Sequence, residues 1–383
     1  MRKTLHLFIF IDAFGWELYR RNSFFLDNLI VDKKPLETIF GYSSACDPSI
    51  ISGQPPSVHG MWSSYYYSPS TSPFESLKWL EWLPHRLTNS HCVRHHLSRL
   101  VAKWYGFTGY FQLYQVPFRD LPLFDYAEKK WMWGTKNGLL KGTSIFDHLI
   151  EHRIPFYAKP SVSISEEEQC QQAIKKIKNQ EVSFVYLMLG KLDGIMHAKG
   201  TEAPETKDIL KYYDQSIRDL IQQSEFHYDT VHWYVFSDHG MHNIKTCHNL
   251  QKEIEQLNLN YGKDYVAFYD ATMARFWFLS PQAETTVRSF LAHHTMGNII
   301  KKETLQEFET YFSDQQYGEL IFLMKPGILI VPSFMGRSPL KGMHGYHPQD
   351  PDSKAMICSN QSIPNSIKRI QDIYHLMQQE LQN

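Results

Sequence analysis

The stretch Val231-His-Trp-Tyr-Val-Phe-Ser-Asp-His-Gly-Met-His242 decides the fold of this chain. Its apolar, β-prone residues predict a strand that ends abruptly at Asp238, His239 and Gly240. A strand ending in this way places a carboxylate and an imidazole at its carboxyl end, where ligands bind in open α/β sheets. Alone, Asp-His-Gly is more often a turn with a satisfied histidine. The metal interpretation therefore depends on other Asp and His residues in equivalent positions.

Two further apolar stretches lead into such residues. Leu5–Ile11 reads as a buried central strand and is followed by Asp12. Val182–Leu189 predicts a third strand and leads to Asp193, with His197 four residues later. Residues at i and i+4 face the same way on a helical turn. We therefore expect these side chains at one edge of a mostly parallel sheet.

A glycine-flanked histidine, His344, completes a set of metal-ligand residue types. The set contains Asp12, Asp193, Asp238, His197, His239 and His344. Mixed carboxylate and imidazole ligands suit zinc or manganese better than magnesium or calcium. Six ligands are too many for one tetrahedral site and match two metals. The sequence predicts two divalent metal ions per chain, either zinc or manganese.

The segment Gly41–Gly53 supplies hydroxyl groups for catalysis. It predicts a short helix that ends at Gly53, with Pro48 tolerated in the first turn. The start of a helix offers backbone N–H groups to a phosphoryl oxygen. A neighbouring metal would lower the pKa of a serine hydroxyl there and make it a nucleophile. Without the metal set, a serine-rich capping segment would be the preferred interpretation.

Five motifs in chain order carry a resemblance to a known family. They are Asp12-Ala13-Phe14, Ser52-Gly53-Gln54-Pro55-Pro56-Ser57-Val58-His59-Gly60, Asp193 with His197, Asp238-His239-Gly240-Met241, and His344-Gly345-Tyr346. Together they resemble the type I phosphodiesterase/nucleotide pyrophosphatase branch of the alkaline phosphatase superfamily, which includes phosphonoacetate hydrolase. The resemblance runs from about residue 5 to residue 347.

The resemblance implies a nucleophile and two ligand sets. The family's nucleophile stands ten residues before Gly53, which is Ser43, and the neighbouring Ser44 is the alternative. One zinc would be held by Asp193, His197 and His344, and the other by Asp12, Ser43, Asp238 and His239. The implied mechanism is in-line attack by the hydroxyl on phosphorus, followed by hydrolysis of a phospho-serine.

Several positions depart from the family pattern. The usual nucleophile is threonine, and the family's phosphate-binding asparagine is replaced by Ser64, a shorter donor. His347 stands where an Asp often follows, and we interpret it as structural or as a neighbour of a ligand. Cys46 lies too close to Gly53 for sulfatase-type formylglycine chemistry. We expect it to be a small buried residue.

The resemblance also implies the architecture. We expect an α/β fold, an alkaline-phosphatase-like sandwich whose central, mostly parallel sheet is flanked by helices. The catalytic core would comprise residues 1–64, 150–261 and 334–383. A helical, aromatic cap (65–149) would lie over the active site, and a small α+β subdomain (262–333) would precede the last metal histidine.

Segments outside the motifs give weaker indications of structure and function. The cap's aromatic segment Trp104–Tyr114 either stacks on a substrate or forms the cap's own core, and the core is favoured. His95, His96 and Arg99 either contact a substrate phosphate or form a solvated basic face, which is again favoured. The tail Ser362–Leu381 predicts an amphipathic helix.

Composition limits partners and compartment. With 39 basic and 40 acidic residues, nothing marks a binder of nucleic-acid polymers, and we expect a small organophosphate as substrate. Five widely spaced cysteines without a CxxC motif favour a reducing compartment. We expect no membrane association, because there is no apolar span of about 18 residues, and we predict a cytoplasmic location. The oligomeric state stays open.

Three functions compete at this point. The leading one is a zinc-dependent hydrolase that cleaves a phosphodiester or pyrophosphate bond through a phospho-serine. The second uses the same site as a phosphomutase or phosphotransferase, or as a phosphomonoesterase or phosphonate hydrolase. The third, a non-catalytic metal-binding homologue, is disfavoured because Asp or His fills all six ligand positions.

Overall fold

The chain forms two compact units. A computed structural model describes residues 3–83, 90–158 and 164–382. The first unit comprises Met1–Gly60, Met132–Asn243 and Pro348–Asn383, and the second comprises Met61–Trp131 and Ile244–His347. The division into core, cap and subdomain stays a prediction.

The elements alternate between strands and helices through much of the chain. The described strands are β1 Thr4–Ile11, β2 Asp32–Leu36, β3 Tyr65–Tyr67, β4 Phe124–Tyr126, β5 Phe156–Ala158, β6 Phe184–Leu189, β7 Thr230–Phe236, β8 His242–Asn243, β9 Thr246–His248, β10 Tyr265–Tyr269, β11 Met273–Phe278, β12 Gly297–Ile300, β13 Leu320–Met324, β14 Ile328–Ile330, β15 Gly342–Met343 and β16 Ala355–Ser359. The described α-helices are α1 Trp16–Arg21, α2 Ser43–Ser52, α3 Pro56–His59, α4 His91–Tyr105, α5 Ile145–Glu151, α6 Glu166–Lys178, α7 Lys191–Lys199, α8 Pro204–His227, α9 Leu250–Glu255, α10 Pro281–Ala292, α11 Lys302–Glu307 and α12 Asp372–Gln382. Short 3₁₀ helices cover Pro73–Trp82, Leu121–Leu123 and Pro351–Ser353. Among these helices, none is both long and apolar enough to cross a bilayer.

A six-stranded sheet organises the first unit. Its order is β2-β16-β7-β1-β6-β5, and the four strands from β7 to β5 are parallel. β16 runs antiparallel to both of its neighbours. The three strands read from the sequence are therefore confirmed, and so is the central, mostly parallel sheet.

One face of this sheet packs against helices to form the core of the first unit. Ile9 on β1, Leu187 on β6 and Trp233 on β7 are almost fully buried there. Residues of α8 such as Ile217 close the cluster. Each fully buried side chain of this size stabilises the fold by about 1.5–3 kcal/mol. Burial on both faces explains why β1 reads as a continuous apolar run.

The second unit contains an antiparallel sheet in the order β10-β11-β13-β12. Two smaller ladders join β14 to β9 and β3 to β4. Strands β10, β11 and β14 lie within residues 262–333, the segment expected to contain both strands and helices. Helices α10 and α11 lie between β11 and β14 in the sequence.

The prediction of a helix from residue 362 is wrong for its first ten residues, because α12 begins at Asp372. Pro364 favours an extended residue before it. The backbone N–H groups of Ile363 and Ile370 donate to Asp32 and to the carbonyl of Glu37 instead of to helical partners. Contacts near β2 therefore override the amphipathic pattern.

Candidate metal centre and active site

Three acidic side chains lie at one edge of the sheet in the first unit. Asp12 directly follows β1, and Asp238 comes two residues after β7. Asp193 lies in the first turn of α7, just after β6. The three strands are parallel neighbours, so their carboxyl ends meet. The topology thus brings together residues that are far apart in sequence.

Asp12, Asp238 and His239 form a compact group of potential ligands. The Nε2 atom of His239 lies 3.0 Å from Oδ2 of Asp238 and 3.7 Å from Oδ1 of Asp12. The Oγ atom of Ser43 lies 3.1 Å from the same Nε2 atom. The serine hydroxyl therefore sits at the edge of this ligand group.

The orientation of His239 suits metal ligation through Nε2. Its Nδ1 atom lies 2.9 Å from the backbone oxygen of Gly240. A carbonyl oxygen only accepts, so Nδ1 carries the proton and donates it. The neutral ring then presents the Nε2 lone pair to the group, which is the arrangement usual for metal-bound histidines.

Concentrated negative charge perturbs the acids in this group. Burial raises the pKa of Asp12 well above its ordinary value, and the charges of Asp238 and Asp193 raise it further. Burial lowers the pKa of His239, but Asp238 and Asp193 raise it, and the net direction is upward. The protein alone thus holds several acids where they repel one another. A divalent cation would relieve that repulsion.

Two oxygen atoms of this group accept no hydrogen bond. They are Oδ1 of Asp12 and Oδ2 of Asp238, and both are buried. Leaving buried polar atoms unsatisfied costs free energy unless something else binds them. Two carboxylates and an imidazole are suitable ligands for zinc or manganese. The residues present therefore fit a divalent transition metal.

Ser43 is placed by the start of α2. It is the first residue of the helix, after Tyr42 as N-cap, and the helix ends at Gly53 with a left-handed φ of 68°. The predicted helix and its end at Gly53 are confirmed, but the prediction of Pro48 in the first turn is wrong. Pro48 is the sixth residue of the helix, where proline removes one backbone hydrogen bond. The first N–H groups of a helix lack intrahelical partners, so they are available to an anion beside the hydroxyl. The contact with His239 is made by the hydroxyl of Ser43.

Asp193 and His197 form a second pair in the first unit. Oδ1 of Asp193 lies 3.2 Å from Nε2 of His197, one helical turn along α7. Glu166 holds the start of this helix, since it accepts hydrogen bonds from the N–H groups of Gly190 at 2.6 Å and Lys191 at 2.7 Å. Its other oxygen accepts a bond from the hydroxyl of Tyr213. Sequence reasoning missed Glu166, because its partners are 24 or more residues away.

Close backbone contacts hold the loop that carries His239. A Cβ atom on Gly240 would lie 2.1 Å from the carbonyl oxygen of Asp352, and one on Gly15 would lie 2.4 Å from Cα of Gly240. The hydroxyl of Thr38 donates to the backbone oxygen of Asp238 at 2.7 Å. Thr38 was also missed, since no motif contains it. The only sequence signal here was the glycine of Asp-His-Gly.

The remaining predicted residues lie in the second unit. His344 is buried and follows β15. The hydroxyl of Ser64 donates to Glu128 at 2.6 Å, a buried carboxyl group that the sequence did not single out. The ring of His347 packs edge-on against Phe308. The roles of these residues stay predictions.

Cys46 is buried, as expected for a small core residue. Burial raises the pKa of its thiol well above the ordinary value. A neutral, buried thiol is a poor nucleophile. The thiol is thus unsuited to serve as the nucleophile.

A known protein family matches most of this chain. A family model described as type I phosphodiesterase / nucleotide pyrophosphatase matches residues 6–347. None of the curated proteins compared by sequence matches the chain.

Several solved structures share the fold. Murine ectonucleotide pyrophosphatase/phosphodiesterase 5 superposes with a TM-score of 0.67 at 13% identity, and the human protein with 0.67 at 14%. An inactive form of the murine protein in complex with AMP gives 0.66 at 13% identity. In each case the match covers 99% of this chain and 95% of the other. Because the sequence identity is this low, the similarity shows only that the fold is shared.

Proposed function

This chain belongs to the type I phosphodiesterase/nucleotide pyrophosphatase family, and from that premise we propose that it hydrolyses a phosphodiester or pyrophosphate bond of a small organophosphate. The observation that carries this proposal is the hydroxyl of Ser43 beside Asp12, Asp238 and His239. A hydroxyl next to a cation-binding group, at the start of a helix, is equipped to attack phosphorus.

Ser43 is the proposed nucleophile. Its Oγ atom forms a bond to phosphorus while the bond from phosphorus to the leaving oxygen breaks, which leaves a phospho-serine. Water then cleaves the phospho-serine and regenerates the hydroxyl. In this proposal, the N–H groups at the start of α2 hold a phosphoryl oxygen during both steps.

Asp12, Asp238, His239 and Ser43 are the proposed ligands of one zinc ion. Asp193 and His197 are proposed ligands of a second, and the family pattern adds His344 to that set. When bound, two divalent cations would supply positive charge that lowers the pKa of the serine hydroxyl and neutralises the phosphoryl oxygens. Manganese is the alternative metal for the same ligands.

A small substrate is proposed because nothing in the composition suits a charged polymer. AMP is the ligand of the solved relative, so nucleotide diesters are the first class to test. Ser64 is the proposed contact to a phosphate oxygen. A cytoplasmic location is proposed on the five cysteines, which are all free.

The test is a substrate panel on protein stripped of metal and then given zinc or manganese. We would compare bis-p-nitrophenyl phosphate, p-nitrophenyl phosphate and p-nitrophenyl sulfate. The proposal expects the diester to be cleaved fastest and activity to return only with metal. A higher kcat/KM for the monoester would refute the diesterase assignment. Phosphoryl transfer to an added alcohol in preference to water would favour the phosphotransferase.

Two serine variants locate the nucleophile. Ser43→Ala should lower kcat by several orders of magnitude, because it removes the attacking oxygen. Ser44→Ala is the matched control, since it changes the neighbouring hydroxyl on the same helix. Activity that survives Ser43→Ala but not Ser44→Ala would move the nucleophile by one residue. Trapping a phospho-serine with a slow substrate, followed by peptide mass analysis, would identify the residue directly.

A further inference from the structure

The second unit exposes an unusual concentration of large apolar side chains. Of the thirteen such exposed side chains among the described residues, seven lie between residues 79 and 110. Trp82 is 90% exposed, Trp104 74%, Leu100 66% and Trp79 61%. Single exposed apolar residues are common, but a cluster of this kind usually marks an interaction surface.

Helix α4 presents this surface because polar contacts fix its opposite face. Arg94, Ser98 and Val101 lie on one side of the helix and are buried. Arg94 donates to the backbone oxygen of Val116, and the hydroxyl of Ser98 accepts from the N–H of Leu113. These contacts leave the other side of α4 facing outward.

The outward side of α4 carries apolar and basic stripes next to each other. Leu100 and Trp104 are four residues apart and lie one above the other. Arg99 and Lys103 have the same spacing and form the adjacent row, and both are exposed. No carboxylate of the described residues forms a salt bridge with either. Helix α4 itself contains no acidic residue.

The 3₁₀ helix Pro73–Trp82 extends this surface. Side chains three residues apart eclipse one another in such a helix, so Ser76, Trp79 and Trp82 form one row. Ser76 hydrogen bonds to the hydroxyl of Tyr105, which stacks on Trp104. The tryptophan row therefore begins at the end of α4. Of the acidic residues nearby, Glu75 pairs with Lys78 at 3.9 Å, and Glu81 is exposed.

We propose that this surface docks the protein onto an anionic lipid bilayer. We call it the tryptophan patch: Trp79, Trp82, Arg99, Leu100, Lys103 and Trp104. Tryptophan favours the boundary between headgroups and acyl chains, where its ring is apolar and its N–H can hydrogen bond. Neighbouring Arg and Lys are attracted to anionic headgroups. Lys is depleted from the cores of protein–protein interfaces, so Lys103, next to Trp104, favours the lipid over a protein partner.

The proposal revises the expectation that the chain makes no membrane association. That expectation rested on the absence of a long apolar span, and a span is needed only to cross the bilayer. Docking at its surface needs exposed aromatic and basic side chains on a fixed face. Sequence spacing alone does not reveal which face of a helix is exposed.

Co-sedimentation with vesicles tests the proposal. One set would be pure phosphatidylcholine, and the other would contain about a third phosphatidylglycerol. We expect binding to the anionic vesicles, weakened by added salt, and a blue shift of tryptophan fluorescence on binding. No binding to anionic vesicles, or equal binding to both sets, would overturn the proposal.

Three double variants distinguish binding through the tryptophan patch from nonspecific adsorption to vesicles. Trp82→Ser with Trp104→Ser should weaken vesicle binding at least about tenfold, through loss of apolar insertion. Arg99→Glu with Lys103→Glu should abolish the preference for anionic vesicles. Phe226→Ser with Lys207→Glu is the matched control, because both residues are exposed on α8 of the first unit.

Two further measurements complete the test. Hydrolysis of a soluble diester should be unchanged in all three variants, since none of these residues belongs to the proposed catalytic group; this also checks that each variant folds. Gel filtration tests whether a second copy of the chain, instead of a lipid bilayer, binds the tryptophan patch. A dimer that depends on Trp82 and Trp104, in protein that binds no vesicles, would replace the lipid with a second copy of the chain.

Discussion

Replacing Glu166 by alanine removes the carboxylate that holds the start of helix α7. That helix carries Asp193 and His197, so the change acts on proposed metal ligands without touching them. Glu166 is buried and accepts two short backbone hydrogen bonds, from Gly190 and Lys191. A hydrogen bond to a charged group contributes about 1.5–3 kcal/mol. Two of them correspond to about 3–6 kcal/mol, partly offset when water enters the space.

We therefore expect Glu166→Ala to lower the free energy of unfolding of the metal-free protein by about 3 kcal/mol. Urea unfolding at neutral pH measures this. Zinc affinity, measured by competition with a chelating dye, should fall by about 10–100-fold, because the support of the ligands is loosened. Glu166→Gln keeps an acceptor for the backbone and should lose less. Glu167→Ala, an exposed neighbour on α6, is the control.

The reasoning would be refuted if Glu166→Ala unfolded within about 0.5 kcal/mol of the native protein and bound zinc equally well. In that case Glu166 would not position α7. Loss of stability with unchanged zinc affinity would separate the two roles and leave only the structural one.

Three further predictions concern Asp238, Gly240 and Glu128. Asp238→Asn should lower kcat by several orders of magnitude and weaken zinc binding, while a chelator should abolish the activity of the native protein reversibly; retained metal-dependent turnover would contradict the ligand assignment. Gly240→Ala forces a Cβ atom to within 2.1 Å of the carbonyl oxygen of Asp352 and should cost about 1–3 kcal/mol of stability, visible as a lower denaturation midpoint. Burial raises the pKa of Glu128 to about 7, although its bond from Ser64 opposes the shift. A carboxyl with a raised pKa stabilises the fold while it is protonated. The free energy of unfolding of the native protein should therefore fall by about 3 kcal/mol, relative to that of Glu128→Gln, as the pH rises from about 4.5 to 7. Urea unfolding of the two proteins would be measured at several pH values. If the difference between their free energies of unfolding does not change with pH, the carboxyl of Glu128 is solvated and the prediction is wrong.

Much of the central fold was predictable from local sequence. The runs before Asp12, Asp193 and Asp238 read as strands, since apolar, β-branched and aromatic residues form a continuous buried stretch. Gly53 correctly marked the end of α2, whereas Pro48, expected in the first turn, lies inside the helix. The tail failed because amphipathic spacing does not register a competing contact, here the bond from Ile363 to Asp32.

The sequence by itself determined which chemical groups the chain possesses and the order in which they occur. Asp and His at strand ends, with serine hydroxyls at the start of a predicted helix, indicate metal-assisted phosphoryl chemistry, and the family resemblance implies Ser43 as the nucleophile. Only the tertiary structure decided which atoms meet and what supports them. The 3.1 Å approach of Ser43 to His239, the hold of Glu166 on α7, and the outward face of α4 all depend on residues distant in the chain. The physical reason is that hydrogen bonds and burial act over ångströms in space, whereas sequence patterns register only neighbours within a turn or a strand.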